Sequence, residues 1–549
     1  MQISIKPFAS GCVQRANTVT CIQIQPMKKF LLVAVLATIA STVDAQSPTW
    51  ADDVANILYG KCTNCHHPGG IAPFSLITYN DAANVAPNIQ NAVTTRRMPP
   101  WPPDTAYTRF VHERVLTQQE ITTIDNWVTA GFPSGNIANA PTSPTYTVGP
   151  AITNPDLSAQ MQTYTVNTAT DLYRCFVVPS GITQDEYITK VEVVPGNRPI
   201  VHHVLVYQDV QNTCVTLDNN DPGPGYTSFG GVGSNTATLI AGWVPGQGVY
   251  ELPPNMGIKL EANSYIIMQI HYPSGTFNQT DSTQVRFTFS SGVVRDVTLA
   301  PAINHWSSMT NGPLIIPANT TRQFNAQVTI PSTLTLISVA PHMHLVGKSI
   351  WSWVIDPSGD TIPLISIPDW NFHWQGFYNY RQPVVIPGNS VVYASAYYDN
   401  TANNPNNPNN PPQLVTAGEA TDDEMMVIYY AYLPYQAGDE NIIIDSVVLN
   451  SVQQNAYQNI IRTPQLYDPY PVPTTGNTPV NVSYFIPENS SVVLQLFDQN
   501  GRLVKEWNRG SQGAGMYHME IATADMAAGT YTISLNTGNS RKSKQIIVY

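Results

Sequence analysis

The chain has 549 residues, 42% hydrophobic and 10% aromatic, enough for several packed cores. Only 11% are charged, and 45 prolines and 34 glycines imply many turns, which fits extracellular β-sandwiches better than helical bundles. A net charge of −12 with no basic run excludes a nucleic-acid binder.

In chain order, "MKKFLLVAVLATIASTVDAQ" comes first. Lys28 and Lys29 precede an apolar stretch from Phe30 to Ala40, and the small residues Val43 and Ala45 follow. This predicts a secretory signal over 27–45 cut after Ala45, with an apolar part too short to span a membrane. Met27 is then the start, and 1–45 is a leader in which 1–26 has no visible role. Of the six cysteines, Cys12 and Cys21 fall in that leader. Cys175 and Cys214 could close one disulfide in an oxidising compartment, the alternative being two buried thiols.

"CTNCHH" at 62–67 carries Cys-x-x-Cys-His, the spacing of a covalent haem c attachment. Cys62 and Cys65 would bond the macrocycle, and His66 would be an axial ligand. A thioredoxin-like pair would need neither the histidine nor this setting. "WADDVANILYGKC" reads as an amphipathic helix, and Thr117 with Glu120 reads as a capping box. A domain over 46–135 therefore resembles a small α-helical class I cytochrome c. Met98, in "TTRRMPPWPPD", is the candidate sixth ligand, with His112 as the rival; a thioether suits electron transfer by raising the potential. The stretch from "CTNCHHPGG" to "RRMPPW" also resembles cytochrome domains fused to bacterial copper oxygenases.

After a linker at 134–150 the chain reads as strands to about 455. Histidines concentrate in three of them: "VHHVLVYQDV", "SYIIMQIHYP" and "TLISVAPHMHLVGK". Strand side chains two apart share a face, roughly 6.5 Å apart along the chain. His342 and His344 can thus grip one metal, while Met343 turns away. His202 and His203 are neighbours, so both reach one metal only with a local twist, and His271 would complete a three-histidine site. Zinc competes with copper for such sites.

"NRPIVHHVLVY", "IIMQIHYPSG", "APHMHLVGKS" and "ATDDEMMVIYYAYLP" resemble, in order, the copper motifs of the copper type II, ascorbate-dependent monooxygenases. The resemblance covers roughly 160–450. It implies two β-sandwich domains, 150–315 and 316–455, separated by a solvent-filled cleft and holding two copper ions. His202, His203 and His271 would hold the electron-transfer copper. His342, His344 and Met425 would form the catalytic site that binds dioxygen, with Tyr429 at the substrate; a thioether ligand favours Cu(I) and disfavours zinc. Cys175 matches a family cysteine, and Cys214 is offered as its disulfide partner although its position differs. Where peptide-hydroxylating members carry an arginine two residues before the H-x-H motif, this chain has Ala340, and Val427 replaces a family asparagine. Loss of the arginine removes a carboxylate clamp and implies a more apolar pocket.

From 470 to 549, strands alternate with glycine-containing turns, predicting a small β-sandwich. Its "DQNGRLV" and "AGTYTISL" resemble type IX secretion sorting domains, which implies that machinery as a partner and export across the outer membrane. The expected whole is multidomain and mainly β: a secreted copper-dependent monooxygenase that uses dioxygen, a small-molecule or peptide substrate, and an external reductant such as ascorbate. The fused haem is expected to relay electrons to the three-histidine copper. The alternative is a surface electron-transfer or copper-binding protein without hydroxylase activity.

Overall fold

The computed structural model describes residues 47–444 apart from 147, 148 and 230, together with most of 464–549. The expected leader and signal peptide, with Cys12 and Cys21, lie outside the described residues. Strand makes up 41% of the chain and helix 12%, arranged as several sheets. No described helix is long and apolar enough to cross a membrane.

The helices lie near the start. The stretch read as one helix has two parts: the Val54 N–H reaches back to Thr49 O, closing a wide π-turn over Trp50–Val54 before the α-helix Ala55–Lys61 begins. The capping box is present, with Glu120 N–H donating to Thr117 Oγ1 and Thr117 N–H to Glu120 Oε2. It starts the helix Gln118–Thr129, whose Ile121, Ile124 and Trp127 share one face and pack on Trp50, Leu58 and Ile89.

Two pairs of sheets follow. In the first, Leu172–Pro179, Tyr265–Tyr272, His203–Asp209 and Thr238–Trp243 are consecutive antiparallel neighbours. They face a sheet built around Gln284–Phe289, Glu186–Val194 and Met256–Leu260. Alternating Val204, Val206, Ile266, Met268 and Ile270 fill the space between. In the second pair, one sheet runs Thr298–Asn304, Val427–Pro434, Leu334–His342, Tyr378–Ile386. The other runs Thr320–Ile330, Ser390–Asn400, Gly347–Ile355, Thr361–Ile367. The last 85 or so residues add a three-stranded and a four-stranded sheet around their own core of Val482, Leu494, Ile533 and Ile546.

Residues 99–116 form a strap that leaves the helical module and lies on the second pair of sheets. Asp104 N–H donates to Ser366 O at 2.8 Å, and Val111 N–H to Asn379 O at 2.8 Å. Phe110, fully buried, bridges to Tyr380 and belongs to the core of that distant sandwich. Arg381 donates from Nε to Phe110 O at 2.8 Å and pairs with Glu113 at 3.1 Å. Further along, Tyr107 packs with Trp351, Trp353, Tyr467 and Phe485, joining the strap, the second sandwich and the terminal domain.

Candidate metal centre

Strand pairing builds the three-histidine cluster. His271 lies opposite His203 in register, and the His202 N–H donates to His271 O at 2.9 Å. His202 itself precedes the strand, just after a 3-10 turn at Arg198–Ile200, and this irregular start supplies the twist that an adjacent pair requires. One ligand atom from each of His202, His203 and His271 lies within 4.8 Å of the others. Both ring nitrogens of buried His271 lack a hydrogen-bond partner, an arrangement that suits a metal ligand. Burial, reinforced by the neighbouring imidazoles, lowers the His202 pKa to about 3 and that of His203 well below its usual value, so both are neutral, ligand-competent rings.

The strand Leu334–His342 ends at His342, so His344 lies beyond the strand the sequence predicted to carry both. Their rings nevertheless stand 5.1 Å apart. Gln375 Oε1 accepts from His342 Nδ1 at 2.5 Å, and Asp423 O accepts from His344 Nδ1 at 3.2 Å. Each bond leaves Nε2 with the lone pair; that of His344 is buried without a partner. Met343 points into the hydrophobic core with Val346 and Ile350, as alternation predicts. Met425, nearly buried, shares a cavity of about 60 Å³ with His203, His342 and Tyr429. The turn after His344 is held by Glu424, whose carboxylate accepts from the N–H groups of His344, Val346, Gly347 and Met425 at 2.8–3.0 Å. Burial pushes its pKa up to about 8, against the pull of these four donors.

The two halves approach each other closely at the histidines. His203 and His342 approach to 6.3 Å between ring centroids. Phe372, from the second half, stacks on His202 at 4.8 Å and meets His344 edge-on at 5.8 Å. Asp171 accepts from the Thr421 hydroxyl across the junction and lies 3.8 Å from His271 Nε2. These aromatic and hydrogen-bonded contacts close the gap down to the small cavity. A larger space of about 520 Å³ opens beside it, lined by Leu205, Tyr207, Leu239, Trp306, Met425 and Tyr429. Sequence reasoning missed Phe372 and Gln375, although the aromatic run "DWNFHWQGFYNY" around a histidine was a usable signal. It also missed Glu424, which adjoins the predicted Met425, and Asp171.

The expected disulfide requires correction. Cys175 and Cys214 are neighbours in one buried cluster but stand as free thiols. The Tyr226 hydroxyl and Cys214 Sγ both donate to Val232 O, at 2.5 and 3.7 Å, so Cys214 has a polar partner other than Cys175.

In the helical module, backbone bonds from Cys65 and His66 to Cys62 O bring Cys62, Cys65 and His66 onto one turn after Ala55–Lys61. His66 Nδ1 donates to Phe74 O at 3.1 Å, leaving Nε2 for an axial bond. Burial raises the Cys62 thiol to about 12. Met98 is half-buried after the helix Ala86–Thr94, its N–H on Ala92 O. The rival His112 is exposed, and His67 stacks on Tyr146. Two thiols and an imidazole thus share one turn, with Met98 further along the module.

Comparison with known proteins agrees with the site. Residues 157–278 match the N-terminal domain, and 308–460 the C-terminal domain, of the copper type II ascorbate-dependent monooxygenases. The chain belongs to that family of copper-dependent monooxygenases. Residues 469–549 match a secretion system C-terminal sorting domain, of the type IX kind. A curated relative is the mouse (Mus musculus) DBH-like monooxygenase protein 1, 22% identical over 278 residues. The match takes in 47% of this chain and 43% of that protein, so the chain spans less than half the length of this relative. Among solved structures, a Faecalibacterium prausnitzii β-glucuronidase is 11% identical, with 42% of this chain and 37% of that one covered at a TM-score of 0.13. A Ruminococcus gnavus β-glucuronidase is 12% identical, with 42% and 36% covered at a TM-score of 0.12. Scores this low carry no argument.

Proposed function

We propose that the protein is a secreted monooxygenase that inserts one oxygen atom of dioxygen into a substrate C–H bond. The second oxygen leaves as water, and the step consumes two electrons and two protons from an external reductant such as ascorbate. The observation that carries this reading is the apposition of two imidazole clusters, His202/His203/His271 and His342/His344, with Met425 in their shared cavity. Copper held there would supply one-electron redox chemistry at the first cluster and dioxygen activation at the second. Gln375 and Asp423 O orient the second pair of rings, and Glu424 fixes the turn that carries them.

The 520 Å³ space beside Met425 and Tyr429 is the substrate's place in this reading. Its walls are largely apolar, and Glu261, Asp296 and Glu419 reach it. Lys259, the one cation among its lining residues, is paired with Asp185 at 2.8 Å. Such a pocket suits an apolar substrate without a carboxylate and disfavours a glycine-extended peptide. The haem c on Cys62, Cys65, His66 and Met98 belongs to the same reading as an internal electron relay. The sorting domain supports export to the cell surface or beyond.

The test is oxygen uptake by copper-loaded, reduced protein across candidate substrates, with labelled dioxygen followed into product by mass spectrometry. Met425→Ala should abolish incorporation while the three-histidine copper stays bound. Absence of labelled product from every apolar class offered, with both coppers in place, would refute the reading.

A further inference from the structure

Asp171 stands where the first sandwich meets the second, immediately before the strand Leu172–Pro179. Its own half fixes one oxygen: Oδ1 accepts from the Ser274 N–H at 2.7 Å and from the Ser274 hydroxyl at 3.1 Å. The other oxygen, Oδ2, faces two ways. It lies 3.8 Å from His271 Nε2, just outside hydrogen-bond range, and it accepts from the Thr421 hydroxyl of the second half. His271 is fully buried, and Tyr173 stacks on it at 4.3 Å and 8°, so the ring has room to slide only in its own plane. With Nε2 on the side of Asp171, Nδ1 is the nitrogen left for a metal; the Nδ1 atoms of His202 and His203 already stand 3.3 Å apart. Thr421 sits at the tip of a closed loop. At its base the Gly418 N–H donates to Glu424 O at 3.1 Å and the Glu424 N–H to Thr416 O at 3.0 Å; within it the Asp423 N–H donates to Ala420 O at 2.9 Å. The same loop delivers Asp423 O to His344 Nδ1 and leads into Glu424 and Met425.

We propose that Asp171 is a positioning residue shared by both histidine clusters. Toward its own half it accepts from His271 Nε2 and so presents Nδ1 to a metal. Toward the other half it pins, through Thr421, the loop that aims Asp423 O at His344 and Met425 at the shared cavity. The inference rests on the metal reading above. Imidazoles that bind a metal through one nitrogen commonly donate from the other to a carboxylate, which fixes the ring and makes it a stronger ligand. Here the same oxygen also holds the loop of the second centre, so a change at Asp171 reaches both. A negative charge beside the imidazole favours the higher oxidation state of a bound metal, and so lowers the potential of the first cluster.

The experiment uses the full chain loaded with copper. Stoichiometry comes first: fewer than two coppers per wild-type chain would overturn both the metal reading and this one. With two bound, Asp171→Asn should raise the midpoint potential of the three-histidine copper and weaken its binding by roughly 10–100-fold. It should also weaken the copper at His342, His344 and Met425. Thr421→Val leaves His271 untouched and should weaken only that second copper, by about tenfold, without raising the first potential. Thr421→Ser, which keeps the hydroxyl, should restore it. Competition with a Cu(I) chelator reads the affinities, with the two sites assigned in His271→Ala and Met425→Ala backgrounds, and spectroelectrochemistry reads the potential. If Asp171→Asn does not fold, the two Thr421 variants carry the test alone. Wild-type potential in Asp171→Asn, or wild-type affinity at the second site in Thr421→Val, would overturn the proposal while leaving the metal reading intact. Equal weakening of both coppers by Thr421→Val would also overturn it.

Discussion

The ring of Phe372 lies flat against that of His202, 4.8 Å between centroids and 19° between planes. One residue belongs to the second sandwich and the other to the first, so this stack helps to keep the two histidine clusters together. Phe372→Ala should cost about 3–5 kcal/mol of stability, the usual range for a buried phenylalanine. Copper stoichiometry should hold while the melting temperature falls, and metal analysis with calorimetry would check both.

Met343 and Met425 should separate cleanly. Met425→Leu should lose the copper at His342 and His344, and turnover with it. Met343→Leu swaps one apolar side chain for another of similar volume in the core and should cost under about 1.5 kcal/mol. Metal analysis of the two purified variants, with melting curves, makes the comparison.

Asp439 ties its half to Arg295 of the first sandwich, at 2.6 and 2.9 Å, and is anchored within its own by the Thr335 hydroxyl at 2.6 Å. Burial works against its carboxylate, but these donors and the Gln436 N–H hold its pKa below the ordinary 3.8. A depressed folded pKa means stability that is fully present above the unfolded value and lost as pH falls through the folded one. Asp439→Asn should therefore lower Tm at neutral pH, and the gap from wild type should shrink in acid. Melting curves from neutral to strongly acidic pH would show a constant gap if the idea is wrong.

With the proposed haem attached, Met98→His should lower its potential, because imidazole stabilises the oxidised iron better than a thioether does. Spectroelectrochemical titration reads the change. An unchanged potential would remove Met98 from the axial position.

Phe110→Ala should unseat the strap. The expected loss is about 3–5 kcal/mol, and limited proteolysis should begin to cut between 99 and 116. Cutting rates identical to wild type would show that the strap is held by its backbone bonds alone.

Local chemistry was legible in the sequence wherever the ligands were neighbours in it. The closeness of His342 to His344, the gathering of Cys62, Cys65 and His66 on one turn, and the turn of Met343 away from the histidines all follow from spacing. The Thr117–Glu120 cap was equally readable. What escaped depends on contacts between residues far apart in the chain. Nothing in "AYTRFVHER" announces that Phe110 is a core residue of a sandwich more than 250 residues away. Gln375 and Phe372 likewise gain their roles only when two sandwiches meet. Strand patterns likewise fix each half but not the distance between them.

The strap also changes what the 134–150 linker does. A tethered carrier meets its partner at a frequency set by linker length, through an effective concentration. Here the helical module is pinned by Phe110, Arg381 and the two backbone bonds, so there is no search to shorten. Lengthening the linker with glycine and serine should leave any internal exchange between the modules first-order and unchanged in rate.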